Sequence, residues 1–574
     1  MKRYIFIIAA LTALIFTGCS NDDDRPVKTP IDPLTDIYGV VTDNQGNRLQ
    51  GIVVSDGYTC TATDENGVYQ LTAGEFSYQV YLSIPAAYEV PMSEGLPCFW
   101  QKLTEGRKRY DFTLTPLAGG AENEFNLFCV ADPQCQNTTN IARFNNETVP
   151  DIAAQVAAST LPCYGITLGD IGWNTENTDY TNDVFPLMKK AMQMDKVGLP
   201  LFQLMGNHDN KVIAVSKNDY TVAHDIAAQR NFEYIFGPVN YSFDRGNVHI
   251  VAMDNIIFPS HKDYSLGFRD DQVEWLRQDL SYVSKDKMVI FCVHIPMRAS
   301  NNQNVQAVLE LLKPFAEVHI MSGHTHYAEN NTYDSHYEHV HGAACGAWWH
   351  STINTDGTPN GYAIYKVKGA TIDNWVYKAT GFDPDFQIRL YRGSDIFMEG
   401  YTPSYQFYYK GDDQIVANIW NADKDWKIEV YENGTKTGEM KPYESNATKR
   451  DAWASGYHCG VQGRAPSNYD RTNTSHLYYY TLQSSTASVE VRATDKFGQT
   501  YSQSKFTTGL AIQKQKRNET TDLDTRRPIG LGHCHRTALG THCPRALPAT
   551  GHRRRFHRRV DDDHQCRIVG RSRS

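Results

Sequence analysis

Five short blocks place oxygen and imidazole donors directly after apolar runs. They are Asp132-Pro133-Gln134, Gly169-Asp170, Gly206-Asn207-His208-Asp209, His294 and Gly323-His324-Thr325-His326. The ligand candidates are Asp132, Gln134, Asp170, Asn207, His294, His324 and His326, with no thiolate among them. Such donors suit borderline and hard divalent ions such as Mn, Fe or Zn. Seven exceed what one ion takes from protein, so two ions are implied, with one carboxylate bridging them. A single Asp or His after a strand is more often a loop cap than a ligand. Five ordered blocks at strand ends are a different matter.

The elements that must position these blocks are legible as apolar periodicity. Phe125–Ala131, Tyr164–Leu168, Leu201–Met205, His249–Met253, Met288–Val293 and Val318–Met321 read as buried strands. Helices are expected near Val149–Thr160, Asp183–Asp195, Asp270–Ser284 and Gln303–Lys313. Strands alternating with amphipathic helices give an α/β domain with helices on the sheet faces. In such folds sites form at the carboxyl ends of strands, where loops are held rigidly.

The pattern D-x-H, G-D, G-N-H-[DE], H, G-H-x-H is the signature of the calcineurin-like metallophosphoesterases, and this chain resembles it from about Phe125 to Lys368. The blocks are separated by 38, 37, 87 and 30 residues, counted Asp132 to Asp170, Asn207, His294 and His324. The resemblance implies a four-layer α/β/β/α sandwich with two metals at its top. It also implies that Asp132, Gln134, Asp170 and His326 hold one metal, and Asp170, Asn207, His294 and His324 the other. A metal-bound hydroxide would then attack phosphorus in line. His208 would face the leaving oxygen as general acid or as a stabilising cation, with Asp209 orienting its ring. The chain departs from the pattern at Gln134, where the family usually has His. His319, His336, His339, His341 and His350 fit no block and read as structural, although His341 and His350 are near enough in sequence to reach substrate.

Two all-β sandwich domains flank this α/β unit. Residues 36–117 alternate apolar and polar positions between turns such as Asp43-Asn44-Gln45-Gly46 and Asp64-Glu65-Asn66-Gly67. They resemble a carboxypeptidase-regulatory-like module. Residues 125–370 are the expected phosphoesterase domain, and residues 371–510 return to strand patterning rich in Trp and Tyr. The stretch Gly342-Ala-Ala-Cys-Gly346-Ala-Trp348-Trp349 resembles secreted bacterial members that carry both flanking β domains. For Trp348 and Trp349 two roles stand open: packing against the C-terminal domain, or an aromatic wall for an organic leaving group.

The ends of the chain speak to location. Met1-Lys2-Arg3 followed by the apolar run Tyr4–Phe16 has the form of a signal peptide, too short to span a bilayer. Phe16-Thr17-Gly18-Cys19 resembles a lipobox, implying that residues 1–19 are a lipoprotein signal peptide in which Cys19 is acylated and becomes the new N-terminus. Ser20-Asn21-Asp22-Asp23-Asp24 resembles the surface-export tag of lipoproteins in some diderm bacteria, although a solvated tether would look the same. Residues 20–35 read as a linker, and residues 511–574 as a disordered or out-of-frame tail. From Arg526 onward that tail has twelve Arg and no Lys. The whole chain carries −9, from 56 basic and 65 acidic residues; without the tail's twelve Arg and three Asp, 44 stand against 62. A body at −18 argues against nucleic acid as main partner. Cys129, Cys163 and Cys292 are expected to be buried thiols, and Cys60 and Cys98 could pair.

The expected protein is therefore an outer-membrane lipoprotein with a dinuclear phosphoesterase centre acting on a phosphorylated small molecule or headgroup, a monoester ahead of a diester. A non-catalytic surface binding protein is the alternative of another class.

Overall fold

In a computed structural model, residues 26–173, 184–211, 219–258, 264–396, 401, 411–443, 450–470 and 472–507 are described. The expected signal segment, Cys19 and the tail lie outside them. No helix among the described residues is long and apolar enough to cross a membrane.

The catalytic region is built on two sheets. The first runs, in spatial order, Leu201–Phe202, Cys163–Thr167, Glu124–Val130, Gly361–Lys368 and Thr371–Ala379. Its first three strands are parallel and the last two antiparallel. The second runs Asn240–Arg245, Val248–Met253, Met288–Cys292, Glu317–Ser322, Tyr337–Val340 and Glu329–Thr332, parallel except at its two edges. The apolar strands need cover on both faces, and alternation along each one supplies it. Leu127 and Cys129, with Tyr365 beside Leu127 in the same sheet, face Ile250 and Ile290 of the other sheet. Phe128 and Val130 face Ile152, Phe185, Met188 and Phe232 of the helical layer on one side. Val289 and Phe291 face Trp275, Leu276, Val305 and Val308 on the other. The result is the four-layer α/β/β/α arrangement.

Several expectations are corrected by local contacts. The strand from Leu201 ends at Phe202, because the Thr167 hydroxyl bonds Gln203 Oε1 and the Leu204 amide and turns the chain out of the ladder. The helix expected over 183–195 is two, Val184–Ala191 and Met194–Val197. The one expected over Asp270–Ser284 is α-helical to Asp279 and finishes as a 3-10 turn, Leu280–Tyr282. A fifteen-residue helix, Val222–Phe236, escaped the periodicity because its buried face includes Asp225, Gln229 and Glu233. The boundary expected at 370/371 falls inside the hairpin Gly361–Lys368 with Thr371–Ala379, so the last strand belongs to the catalytic sheet.

Among the described residues, the domain before the catalytic region has sheets of three and four strands with a short added hairpin, Met92–Ser93 with Leu96–Pro97, and the domain after it has two sheets of four strands. Each is bonded to the catalytic region through buried polar contacts. On one side the Trp275 indole N–H donates to Ser55 Oγ (3.0 Å) and the Tyr81 hydroxyl to the Asn240 carbonyl (2.6 Å). On the other, the buried Asp356 carboxylate accepts from the Ala328 amide (2.9 Å) and lies 3.0 Å from His476 Nε2. Cys129 and Cys292 are buried, whereas Cys163 is half-buried at the start of its strand. Cys60 and Cys98 are free thiols, not a disulfide.

Candidate metal centre

All five blocks meet at one end of the two sheets. Asp132 and Gln134 follow Glu124–Val130, and Asp170 follows Cys163–Thr167. Asn207 follows Leu201–Phe202, His294 follows Met288–Cys292, and His324 and His326 follow Glu317–Ser322. The loops are zipped together by backbone bonds. The Asp132 amide donates to the Gly169 carbonyl (3.2 Å) and the Gln134 amide to the Asp170 carbonyl (2.7 Å).

Five of the seven ligand candidates occupy the left-handed region that favours glycine: Asp132 (φ 49°), Gln134 (41°), Asp170 (52°), His324 (69°) and His326 (53°). Each costs on the order of 1–3 kcal/mol, and such strain persists only where surrounding structure over-determines it. Two glycines make the closeness feasible. A Cβ on Gly206 would sit 2.1 Å from the Asp170 amide nitrogen, and one on Gly169 would sit 2.5 Å from His294 Nδ1.

The side chains converge. Asp170 Oδ1 lies 3.3 Å from His294 Nε2, and Asp170 Oδ2 accepts from Gln134 Nε2 at 3.0 Å. Asn207 Oδ1 lies 3.0 Å from His294 Nε2 and 2.9 Å from His324 Nδ1. Ligating atoms of Asp170, His294 and His324 all fall within 4.8 Å of one another. On the far side His326 Nε2 stands 3.5 Å from Asp132 Oδ1. His294 Nδ1 must donate to the Leu168 carbonyl (2.7 Å), which leaves the Nε2 lone pair aimed at the centre in the neutral ring. Asp170 touches members of both expected ligand sets, as a bridge between two ions must. Gln134 stands inside the cage; its amide, turned over, presents oxygen where nitrogen now faces Asp170. The residues fit a dinuclear divalent site.

Burial alone depresses an imidazole, yet Asp170 and Asp132 hold His294 up at about 9. The same histidines, against the cost of burial, hold Asp170 well below the usual carboxylate range. Burial and His294 push His324 well below 6.5.

His208 points its backbone N–H at Asp170 Oδ1 (2.8 Å), and its ring stacks on Trp173 with centroids 4.3 Å apart. Asp209 is placed differently from expectation. Its carboxylate accepts from the backbone amides of Ile171 (3.0 Å), Gly172 (2.9 Å) and Gly206 (2.9 Å). It therefore clamps two ligand loops together, while Trp173 stacks on the His208 ring. Burial and Asp170 push Asp209 up to about 7 against those three amides.

Of the other histidines, His341 is buried with Nδ1 on the Ser322 carbonyl and Nε2 on the Tyr365 hydroxyl, so it has no path to substrate. His350 is exposed and pairs with the Tyr469 hydroxyl at 2.6 Å. His319 bonds His339 at 3.0 Å in the core. Trp348 and Trp349 divide the roles left open for them. Trp349 is buried and donates from its indole to the Pro133 carbonyl (2.8 Å), whereas half-buried Trp348 lies over His326 at 5.2 Å. Two further neighbours were not foreseen: Trp173, and Cys345, whose sulfur lies 3.9 Å from His326 Nδ1. Neither follows an apolar run as a polar donor does, so nothing in the local pattern marks them.

Comparisons with known proteins agree with this geometry. Residues 129–328 match the model of the calcineurin-like phosphoesterase, residues 35–117 that of its N-terminal domain, and residues 338–501 that of its C-terminal domain. Together these cover more than half of the chain. No curated protein matches it. Among solved structures it is similar to a purple acid phosphatase from yellow lupin (13% identity, TM-score 0.31, covering 45% of this chain and 54% of that one). A 5'-nucleotidase from Candida albicans gives 10% identity, TM-score 0.29, and 44% and 52% coverage. A phosphopantetheinyl hydrolase from Mycobacterium tuberculosis gives 12%, 0.25, and 38% and 90%. The chain thus spans about half the length of the lupin and Candida proteins. With the N-terminal, catalytic and C-terminal domains following one another in order, the chain belongs to the calcineurin-like phosphoesterases.

Proposed function

We propose that the protein is a phosphomonoesterase using two divalent ions, Mn, Fe or Zn, and that a lipid on Cys19 anchors it to the outer membrane. The observation that carries the catalytic reading is Asp170, which touches donors of both ligand sets and receives the His208 amide. Asp132, Gln134, Asp170 and His326 would hold one ion, and Asp170, Asn207, His294 and His324 the other. Such a pair of ions would supply positive charge for the phosphoryl oxygens and activation of a water. The chain's own part is to aim. His208, fixed through its amide and stacked on Trp173, presents an imidazole N–H to the leaving oxygen. Asp209 keeps the loops of Asp170 and Asn207 in register. Aromatic rings crowding the mouth suit an ester with one organic arm better than one with two.

Anchoring is supported by sequence alone, through Phe16-Thr17-Gly18-Cys19. The N-terminal β domain, docked through Trp275 and Tyr81, then acts as a spacer between tether and centre.

The test is to reconstitute the protein with each metal and measure hydrolysis of p-nitrophenyl phosphate and bis-p-nitrophenyl phosphate. The monoester should be preferred. A preference for the diester would reassign the protein to phosphodiesters of lipid, nucleotide or glycan headgroups, and no turnover of either would sink the hydrolytic reading.

A further inference from the structure

Three histidines of the centre each have an aromatic ring against them. Trp173 stacks on His208 at 4.3 Å with planes 20° apart. Trp348 lies over His326 at 5.2 Å and 35°. Tyr264 meets His324 edge-on at 5.9 Å. All three rings are half-buried, whereas six of the seven ligand candidates are buried. They therefore form a rim between the centre and solvent.

The chain goes to some length to hold the two tryptophans. Trp348 has φ 50° and Trp349 φ 61°, in a region where bulky residues are outliers. Strain of this kind points to a use, provided something fixes it. Trp349 anchors the turn to the Asp132–Gln134 loop through the Pro133 carbonyl (2.8 Å) and meets Phe144 edge-on. That anchor alone would allow any residue at 348. Instead, Tyr469 of the C-terminal domain meets the Trp348 ring edge-on at 5.7 Å, and its hydroxyl is tied to His350. A second domain thus sets the position of one ring beside the centre. Trp173 follows Ile171 and Gly172, whose amides Asp209 holds, so Trp173 and His208 share one anchor.

We propose that Trp173 and Trp348 are specificity-determining residues that take a flat aromatic leaving group, making esters of aryl, arylmethyl or nucleoside-type alcohols the preferred substrates. This rests on the hydrolytic reading above. His208 donates in the plane of its ring, so the leaving oxygen lies at that ring's edge. Whatever the oxygen carries then passes along Trp173, which is nearly parallel to His208. A flat ring gains contact there without needing hydrogen bonds, because every aromatic group has a π face.

The experiment compares benzyl phosphate with cyclohexylmethyl phosphate on the metal-reconstituted full chain. The two leaving alkoxides are similar in basicity, and only one is flat. The native protein should favour benzyl phosphate by roughly tenfold in kcat/KM, mainly through KM, as one stacked ring supplies. Trp348→Ala should lose most of that preference while cyclohexylmethyl phosphate falls far less, Trp173→Ala should lose the preference while lowering both esters because His208 stacks on it, and Trp348→Phe should retain part of it. Metal content of each variant is measured alongside. Absence of preference in the native protein, equal losses on both esters, or preference for phosphocholine over both would overturn the proposal. Benzylphosphonate, which cannot be hydrolysed, separates the two readings. If no ester turns over, the hydrolytic reading fails. Quenching of tryptophan fluorescence by benzylphosphonate, but not by ethylphosphonate, then upholds the rim, and equal quenching rejects it.

Discussion

The backbone N–H of His208 donates to Oδ1 of Asp170 across 2.8 Å. The residue best placed to bridge two ions therefore also fixes the backbone of His208, the proposed general acid. Asp170→Asn keeps the shape and removes the charge. Metal content should fall below two ions per chain, and kcat/KM by more than about 100-fold, the upper end of what outer-shell partners lose. Elemental analysis with kinetics checks this, and a variant with two tight ions and near-normal turnover would sink the bridging role.

His208→Ala should keep both ions and lose rate, by roughly 10²–10⁴-fold on alkyl phosphates and far less on nitrophenyl phosphate. An alkoxide needs a proton as its bond breaks, whereas an activated aryloxide scarcely does. Equal losses on both substrates would remove the general-acid role and leave electrostatic stabilisation.

Metal uptake should release protons. His294 is held protonated up to about 9 and must lose that proton to ligate. Affinity should therefore rise with pH until about 9, and calorimetry in buffers of different ionisation enthalpy will count the protons. The sign for stability runs the other way in metal-free protein. A raised folded pKa stabilises fully below the unfolded value of about 6.5, and this contribution is lost as pH climbs through about 9. Denaturant melts of chelated protein at pH 6 and pH 9 should differ in that direction, and His294→Gln should flatten the difference.

Asp356→Ala should uncouple the C-terminal domain. Its carboxylate accepts from the Ala328 and Thr358 amides and the Thr358 hydroxyl and lies 3.0 Å from His476 Nε2, all buried. Leaving such groups unpaired costs roughly 3 kcal/mol. Because Ala328 is two residues beyond His326, metal affinity should weaken too. Unfolding by urea that matched the native protein would show the domain to be an independent appendage.

At the ends of the chain, Cys19→Ser should move the protein from membrane to soluble fractions without loss of specific activity. Truncation after Leu510 should leave melting temperature and turnover unchanged. Continued sedimentation of the first variant, or a large drop in melting temperature of the second, would contradict these expectations.

Much of the centre was readable because metal chemistry is local in kind. Asp132, Asp170, Asn207, His294 and His324 each follow a strand written in Val, Ile, Phe, Leu or Met, and β periodicity is a short-range signal. The helix Val222–Phe236 was missed for the opposite reason. Asp225 and Gln229 turn inward to partners distant in sequence, Asp225 to Arg269 (2.7 Å) and Gln229 to Asp254 (2.6 Å), and Glu233 pairs with Arg230 (2.6 Å), so the buried face of this helix does not look apolar. The strand Thr371–Ala379 reads as β whichever sheet takes it, and only its pairing with Gly361–Lys368 assigns it.

By itself, then, the sequence determined the donor set, its order and the alternation of strands and helices that carries it. Which side chains act beyond that set was decided only in three dimensions. Asp209 turns its carboxylate to three backbone amides. Of two adjacent tryptophans, one is buried under Pro133 and the other set over His326. Adjacent residues in a strained turn diverge according to what packs on them, and here that is Tyr469, more than a hundred positions along the chain. Contacts across such separations are set by how domains close on one another, which no local pattern of residues encodes.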